Sequence, residues 1–443
     1  MEFGRHIGKG IWGFADKSLT AIYGLGFVFL VIRVLPEIEY GSFVLVQAIF
    51  TILVAIGTSF ALQPLIKYAA ESDDYGGILT VCALYFCGFL TATIILLMVV
   101  RLPLSQVLDP SHAGKISALI LYIPPLLIGS AARLFLIALL QTRYRVQQIF
   151  WIDSVYFIGS LVLFSIARQV GRFSTAEDLM VISVATQVLS SLLAVIVAWN
   201  HIRFERRVSR SEFQRVWDFG KYSSLSSISF SIYSQLDIFI ISSLGGLVQV
   251  AVYSAAKIFT RVFDVYTQVV QLFLIPASSR YHKEGNTGAI RIITEKSIWF
   301  STLGLLPVCA LFFFGAGFLV DFFYQGRYAA AVIPLRIFSI LAILIPWYAV
   351  LPSILIGLGK VKEGLLISWV FIVASIVLYY ALIPPYGAAG AALANVITIL
   401  CVSVSMAVIT NRIIPLNVRA MVLRTHDIVQ FGKTSLEKMR LHK

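Results

Sequence analysis

Five polar side chains interrupt the apolar stretch AVYSAAKIFTRVFDVYTQVVQLFLIP. Lys257, Arg261, Asp264, Gln268 and Gln271 recur at intervals of four, three, four and three residues, a spacing that puts them on one face of a helix. A charge at mid-membrane costs about 2.5–3.5 kcal/mol on insertion scales, and those retained face a polar interior. Lys and Arg in such a stripe suit an anionic group such as a diphosphate, because their donors are charged and Arg can bind two oxygens at once. The competing reading is an intrahelical Arg261–Asp264 pair, with these charges only tying helices together.

A second stripe precedes it: Tyr222, Ser226, Ser229, Tyr233 and Asp237, spaced by four, three, four and four. Asp16, Lys17, Thr20 and Tyr23 lie in the first apolar run, Gln47 near the centre of the second, and Arg133 and Arg336 singly within theirs. These positions predict a cationic cavity with Lys257, Arg261, Arg133, Arg336 and Lys17 as binding groups and Gln47, Tyr233, Gln268 and Gln271 as polar lining. Asp237, Asp264 and Asp16 are the carboxylates able to bind or release a coupling ion. Arg261 stands near Asp264 and Lys17 beside Asp16, whereas Asp237 has no basic neighbour in its own run and is the best placed to change protonation. Asp153, near the start of its run, reads as an interfacial residue.

The elements that position these groups follow from composition. Of 443 residues, 59% are hydrophobic and 13% charged, and the mean hydropathy is +0.88. Soluble domains carry about a quarter charged residues, so a soluble enzyme is excluded. A spanning helix needs about 20 apolar residues, and the chain offers runs at 11–34, 42–65, 77–100, 117–140, 149–167, 179–199, 222–244, 250–276, 297–320, 329–357, 364–383 and 388–409. None alternates as a barrel strand does, so an all-α polytopic membrane protein of about 12 transmembrane helices is expected. The first run is too long for a cleaved signal and no small-residue cleavage site follows, so it reads as a retained span. Cys82, Cys87, Cys309 and Cys401 fall inside apolar runs, which implies neither a disulfide framework nor a zinc site. Prolines within runs, among them Pro64, Pro276, Pro307, Pro346 and Pro352, fit either static packing or bending.

Placing the N-terminus inside puts 25 of the 35 Lys and Arg on the cytoplasmic side and 6 outside. This asymmetry predicts that both termini are cytoplasmic. Trp12, Trp151, Trp199 and Trp299 then mark the cytoplasmic interface. The net charge of +13 is explained by topology and calls for no nucleic acid. The connection NHIRFERRVSRSEFQRVWDFGK divides the chain into a six-helix bundle (1–199), a cytoplasmic linker (200–221), a second six-helix bundle (222–410) and a basic cytoplasmic tail (411–443). A shift of 213 pairs Tyr40 with Tyr253, Phe50 with Phe263 and Lys67 with Arg280, in keeping with a duplicated, parallel-repeat transporter whose path runs between the halves. There is no GxxxxGK[ST] and no HExxH, and the outer connections are short. No chemistry is visible: the chain does not read as an enzyme, and no cofactor or metal is expected.

The segments EYGSFVLVQAIF (39–50), DIFIISSLGGLVQVAVYSAAKIF (237–259) and LIPPYGAAGAALANVI (382–397) resemble polysaccharide flippases of the multidrug/oligosaccharidyl-lipid/polysaccharide exporter superfamily, over about residues 8–410. In the last segment Gly387, Gly390 and their alanines would let the start of span twelve pack closely on neighbours. The resemblance implies a V-shaped pair of six-helix bundles with spans one, two, seven and eight around a central cavity. It also implies outward transfer of an undecaprenyl-diphosphate-linked oligosaccharide through alternating access, driven by H+, Na+ or the membrane potential. Such a flippase serves O-antigen or exopolysaccharide synthesis, with polymerase and chain-length proteins as partners. Lys257 and Arg261 best match the basic residues of such cavities; span two departs, with only Gln47 strongly polar near its centre. Three alternatives stand: a drug or metabolite exporter, a peptidoglycan-precursor flippase (a group with two more spans) and a non-transporting scaffold subunit of a polysaccharide assembly complex.

Overall fold

The computed structural model describes residues 2–71, 74–171 and 173–423. Within them every regular element is a helix. Among the described residues eight helices are long and apolar enough to cross a membrane, or nine when Ala329–Ser339 and Leu341–Gly357, bent by 47°, count as one span. Two of the eight are double-length runs, Ser231–Lys283 with 53 residues and Trp369–Ile413 with 45. Each is broken at a glycine with positive φ, Gly246 (φ 77, ψ 176) and Gly387 (φ 54, ψ −131), a conformation that an L-residue adopts only at a cost. With these breaks and with α1 (Glu2–Ile32), every expected apolar segment is helical, although 117–140, 297–320 and 329–357 are each divided between two helices. The chain forms two compact units, residues 1–254 and 255–443.

The first unit holds α1, α2 (Glu37–Gly57), α3 (Gln63–Glu71), α4 (Gly76–Leu108), α5 (Ala113–Ile120), α6 (Ile123–Thr142), α7 (Val146–Gln169), α8 (Ala176–Ala198) and most of α9 (Arg210–Lys257). A π-helical turn, Thr58–Leu62, joins α2 to α3. Its cause lies in the sequence: Pro64 has no N–H to give the Phe60 carbonyl, so the α-pattern fails there. Gly220 of α9 lies against that carbonyl, where an added Cβ would come within 2.4 Å. The core of α3, α4, α6 and α8 is built from side chains such as Leu65, Leu79, Leu139 and Leu140, each fully buried. Rings of α1 and α7 interlock along Tyr23, Phe27, Phe157 and Phe164. A reciprocal cap starts α8, the Thr175 hydroxyl accepting from Asp178 N while the Asp178 carboxylate accepts from Thr175 N, the arrangement that satisfies two otherwise orphaned donors.

Residues 200–221, expected as a linker, are held on this unit. The Tyr75 hydroxyl donates to the His201 carbonyl at 2.7 Å and the Tyr85 hydroxyl to the Phe213 carbonyl at 3.3 Å. Arg215 pairs with Glu71 and stacks over Tyr68. From Arg210 onward the segment is already the first turns of α9.

The second unit contains α10 (Arg261–Lys283), α11 (Thr287–Phe314), α12 (Ala316–Tyr324), α13 (Val332–Ser339), α14 (Leu341–Gly357), α15 (Val361–Ile413) and α16 (Val418–Leu423). Its centre is α14, which packs on α10, α11 and α15 through fully buried Val350, Leu351 and Ile354. Gly357 admits the Ser278 hydroxyl where a Cβ would collide with it. The glycine–alanine segment of span twelve packs closely as expected, and the neighbour is the chain itself: a Cβ on Gly390 would come within 1.9 Å of the Leu382 carbonyl across the Gly387 break.

Candidate functional site

In the second unit the predicted stripe is present with one alteration. Lys257 ends α9, Ile258–Thr260 is a 3-10 turn and Arg261 opens α10, so span eight is not one continuous α-helix. A short 3-10 stretch inside a span marks a hinge or local strain. Both cations still lie near enough to Asp264 for their charges to act on it. Arg261, Asp264, Gln268 and Gln271 are exposed, while Phe263, Leu274 and Ser278 bury the opposite side of α10. Tyr348 of α14 lies near enough to feel the Asp264 charge. Arg336, exposed in the last turn of α13, sits just before the bend into α14.

The other predicted residues lie in the first unit. Asp237 is 2% exposed. Its carboxylate accepts from the Tyr253 hydroxyl at 2.6 Å and from Ile238 N at 2.8 Å. Asp16 is buried in α1, where the Thr20 hydroxyl donates to its carbonyl. Gln47 and Tyr233 are half-buried. The side chains of Lys17, Ser226 and Ser229, and residues 424–443 of the expected basic tail, lie outside the described residues.

Arg133 is enclosed. Its Nη2 donates to Asp153 Oδ1 at 2.5 Å, its Nε to the same oxygen at 3.2 Å and its Nη1 to Gln187 Oε1 at 3.3 Å, while its guanidinium stacks 4.4 Å over the Tyr156 ring. The Arg133 and Asp153 side chains are 11% and 12% exposed. Asp153 is thus a buried counter-ion and not an interfacial residue. It sits two turns into α7, on the side that faces α6 and α8. The sequence signal was present, one isolated Arg and one isolated Asp in successive spans, but their pairing needed the helix packing.

Sequence reasoning missed a polar cluster at the end of this unit opposite residues 200–221. Asp109 follows α4 and its carboxylate accepts from Ser111 N, from His112 N and, at 3.2 Å, from Leu247 N just past the Gly246 break. His112 Nδ1 lies 3.1 Å from the same carboxylate. Three residues past His112, Lys115 gives its ammonium to Glu39, which also accepts from Ala176 N at 2.8 Å, so α2, α5 and the start of α8 are joined. An added Cβ on Gly41 would fall within 2.0 Å of the Leu247 carbonyl. Among the described residues no group of His, Cys, Asp and Glu could hold a metal ion.

The profile of the family described as "Polysaccharide biosynthesis protein" matches residues 9–282, and that of "MatE" matches residues 223–381. An uncharacterized membrane protein of Methanocaldococcus jannaschii is 26% identical over 175 residues, 40% of either chain; the match spans well under two thirds of that relative. Among solved structures, the lipid II flippase MurJ in its inward closed conformation matches with TM-score 0.72 at 11% identity, over 94% of this chain and 89% of that one. An inward-facing multidrug resistance MATE family transporter of the MOP superfamily matches with TM-score 0.74 at 17% identity, over 92% and 98%. A MATE transporter of Vibrio cholerae matches with TM-score 0.59 at 14% identity, over 91% and 98%. At these identities the likeness is one of fold.

Proposed function

We propose, from the premise that the chain belongs to the polysaccharide biosynthesis protein family, that it flips a lipid-linked oligosaccharide across the membrane for cell-surface polysaccharide synthesis. It is a multi-pass membrane transporter of the exporter superfamily that also contains MATE proteins. The finer assignment, an undecaprenyl-diphosphate carrier moved from the cytoplasmic to the outer leaflet of a bacterial inner membrane, is our reading. The observation that carries it is the polar stripe that half-buried Lys257, at the end of α9, begins and exposed Arg261, Asp264, Gln268 and Gln271 continue along α10, two cations against a single carboxylate. A net positive face of this kind binds a diphosphate and repels the organic cations a drug exporter would accept. Arg336 is a further exposed cation of the same unit and lies within a predicted span; Arg133, whose donors are taken by Asp153 and Gln187, serves the fold of the first unit in this account.

Energy for transfer comes from gradients. A unit charge crossing 100 mV changes by about 2.3 kcal/mol, so a carrier diphosphate leaving a negative interior is favoured by roughly twice that. Exchange against H+ or Na+ adds to it. Asp237, buried and hydrogen-bonded to Tyr253, is the carboxylate we assign to that exchange, ahead of Asp16 and Asp264.

The test is purified protein in liposomes, without nucleotide, carrying a labelled lipid-linked oligosaccharide. Flipping that accelerates under an outside-positive potential and stops in Lys257→Gln/Arg261→Gln supports the reading. Flipping of lipid II in preference to other lipid-linked sugars would move the assignment to a peptidoglycan-precursor flippase. Export of cationic dyes without flipping would move it to a drug exporter. Normal surface polymer in cells carrying the double variant would favour a scaffold.

A further inference from the structure

Three arginines of the first unit converge at the end predicted to be cytoplasmic. Arg143 and Arg145 belong to the connection between α6 and α7, and Arg203 follows the 3-10 turn Trp199–His201 after α8. Tyr75 ties the two connections together. Its hydroxyl donates to the His201 carbonyl at 2.7 Å, and the Arg143 guanidinium stacks 4.2 Å from the centre of its ring. Arg145, Arg143 and Arg203 all lie near enough to the His201 imidazole for their charges to act on it. Arg145 and Arg203 are exposed, and among the described residues neither has a carboxylate partner.

Like charges gathered in this way repel one another, and the backbone around them adds to the cost. Arg145 stands at the N-cap of α7, whose first turn has neither a side-chain cap nor an acidic residue. Ser, Thr, Asp or Asn is favoured there, and a cation is unfavourable at the positive end of a helix dipole. The turn before it closes as Tyr144 N donates to the Gln141 carbonyl and Arg145 N to the Leu140 carbonyl. Tyr144 has φ 52, a left-handed position that glycine fills without strain. The described carboxylates nearest in the chain are engaged elsewhere: Glu205 lies against Gly76 and close to Asp74, and Glu212 lies against Gly77, at the start of α4. An anion from outside the chain relieves the repulsion among the arginines. Three cations exceed what the single charge of a phosphodiester neutralises; a diphosphate, with more charge and more acceptor oxygens, matches them.

The surroundings select a lipid head over a soluble anion. Tyr144, between Arg143 and Arg145, is 69% exposed; Trp199, two residues before His201, is 69% and Phe204, next to Arg203, is 58% exposed. Exposed aromatic rings at the ends of spanning helices mark the level of lipid headgroups, and basic pockets between such helices hold phosphorylated headgroups.

We propose that Arg143, Arg145 and Arg203 form a docking site for the diphosphate head of a polyprenyl lipid, distinct from the Lys257–Arg261 stripe. This rests on the reading of the chain as a flippase of a lipid diphosphate, but the docking residues all belong to the first unit and the stripe to the second.

Equilibrium binding separates the two sites. Purified full-length protein in nanodiscs of neutral phosphatidylcholine is titrated with radiolabelled farnesyl diphosphate. The parent is expected to bind two equivalents and Lys257→Gln/Arg261→Gln, which removes the stripe, to keep one. In that background Arg145→Gln/Arg203→Gln weakens the remaining site about fivefold for each arginine, or about 25-fold in all. Arg145→Lys/Arg203→Lys retains the charge and stays within a few fold of its background, so a loss caused by charge is told apart from a loss of fold. Two equivalents still bound after Lys257→Gln/Arg261→Gln would sink the role of the stripe and leave the docking site standing. Binding unchanged by Arg145→Gln/Arg203→Gln would overturn the docking site. So would displacement of the probe by an equal concentration of inorganic diphosphate, which makes it a soluble-anion site, or displacement by phosphatidylglycerol in the disc, which makes it a general anionic surface.

Discussion

The carboxylate of Asp109 and the backbone N–H of Leu247 meet at 3.2 Å although 138 residues separate them in the chain. Leu247 is the first residue past the Gly246 break, where the helical hydrogen-bond ladder is interrupted and N–H groups need outside acceptors. Asp109 supplies one while capping its own turn at Ser111 and His112. A single side chain thereby fixes the hairpin between spans seven and eight to the connection between spans three and four.

Removing that acceptor has a stated cost. Asp109→Ala loses a cap, worth about 1 kcal/mol, and leaves the Leu247 donor unpaired in a buried position, a further 1–3 kcal/mol or so. Asp109→Asn keeps an acceptor oxygen and loses less. Thermal unfolding of the detergent-solubilised protein ranks the two; equal melting temperatures for Asp109→Ala and the parent would refute the role.

At Gly41 the constraint is steric. A methyl group there would lie 2.0 Å from the Leu247 carbonyl, so Gly41→Ala must push α2 away from α9. At Gly88 nothing lies within 4 Å of an added Cβ, and Gly88→Ala gains up to about 1 kcal/mol of helix propensity. Opposite shifts in melting temperature are expected for the two variants.

Arg133 and Asp153 are expected to act as a structural pair. Removing one partner leaves a buried charge uncompensated, a loss of about 3–5 kcal/mol. Replacing both, as in Arg133→Met/Asp153→Leu, restores most of it, because two apolar side chains carry no such charge. If Arg133 instead binds substrate, Asp153→Leu alone spares stability while the double variant loses transport; unfolding curves and the liposome assay separate these outcomes.

Glu205 carries a pH dependence. Partial desolvation, then the negative charge of Asp74, a hydrogen bond that the protonated Glu205 carboxyl donates to Asp74, and the charge of Glu212 push its carboxyl above the usual glutamate range. The protonated form therefore fits the folded position better than the ionised one. Its contribution to holding this segment is fullest at acid pH and is lost as pH rises through the raised value. A spin label at Arg206, in a variant lacking the native cysteines, should gain mobility from pH 4 to pH 7 and respond little in Glu205→Gln. Equal pH responses in the two proteins would reject the idea.

Topology is tested by reporter fusions after Lys443 and within Ser105–His112. The asymmetry of Lys and Arg predicts opposite sides of the membrane; the same side for both would overturn it.

The sequence by itself determined the secondary structure and the membrane environment. Apolar runs of spanning length with so few charges admit only helices; that two pairs of runs join as double-length helices broken at Gly246 and Gly387 appeared only in the structure. It also determined the composition of the α10 face, because Arg261 to Gln271 are close enough along one helix for spacing alone to group them. What the tertiary structure decided are the relationships between groups on different helices. Arg133 looked like an isolated cation until α6, α7 and α8 packed and brought Asp153 and Gln187 to it. Asp109, in the connection between two apolar runs, gave no signal in the sequence, and its partner Leu247 N is 138 residues away. Hydrophobic periodicity records which side of a helix is apolar, but it carries no information on which neighbour that side meets or on how a buried charge finds its partner. Those depend on the packing of side chains distant in sequence.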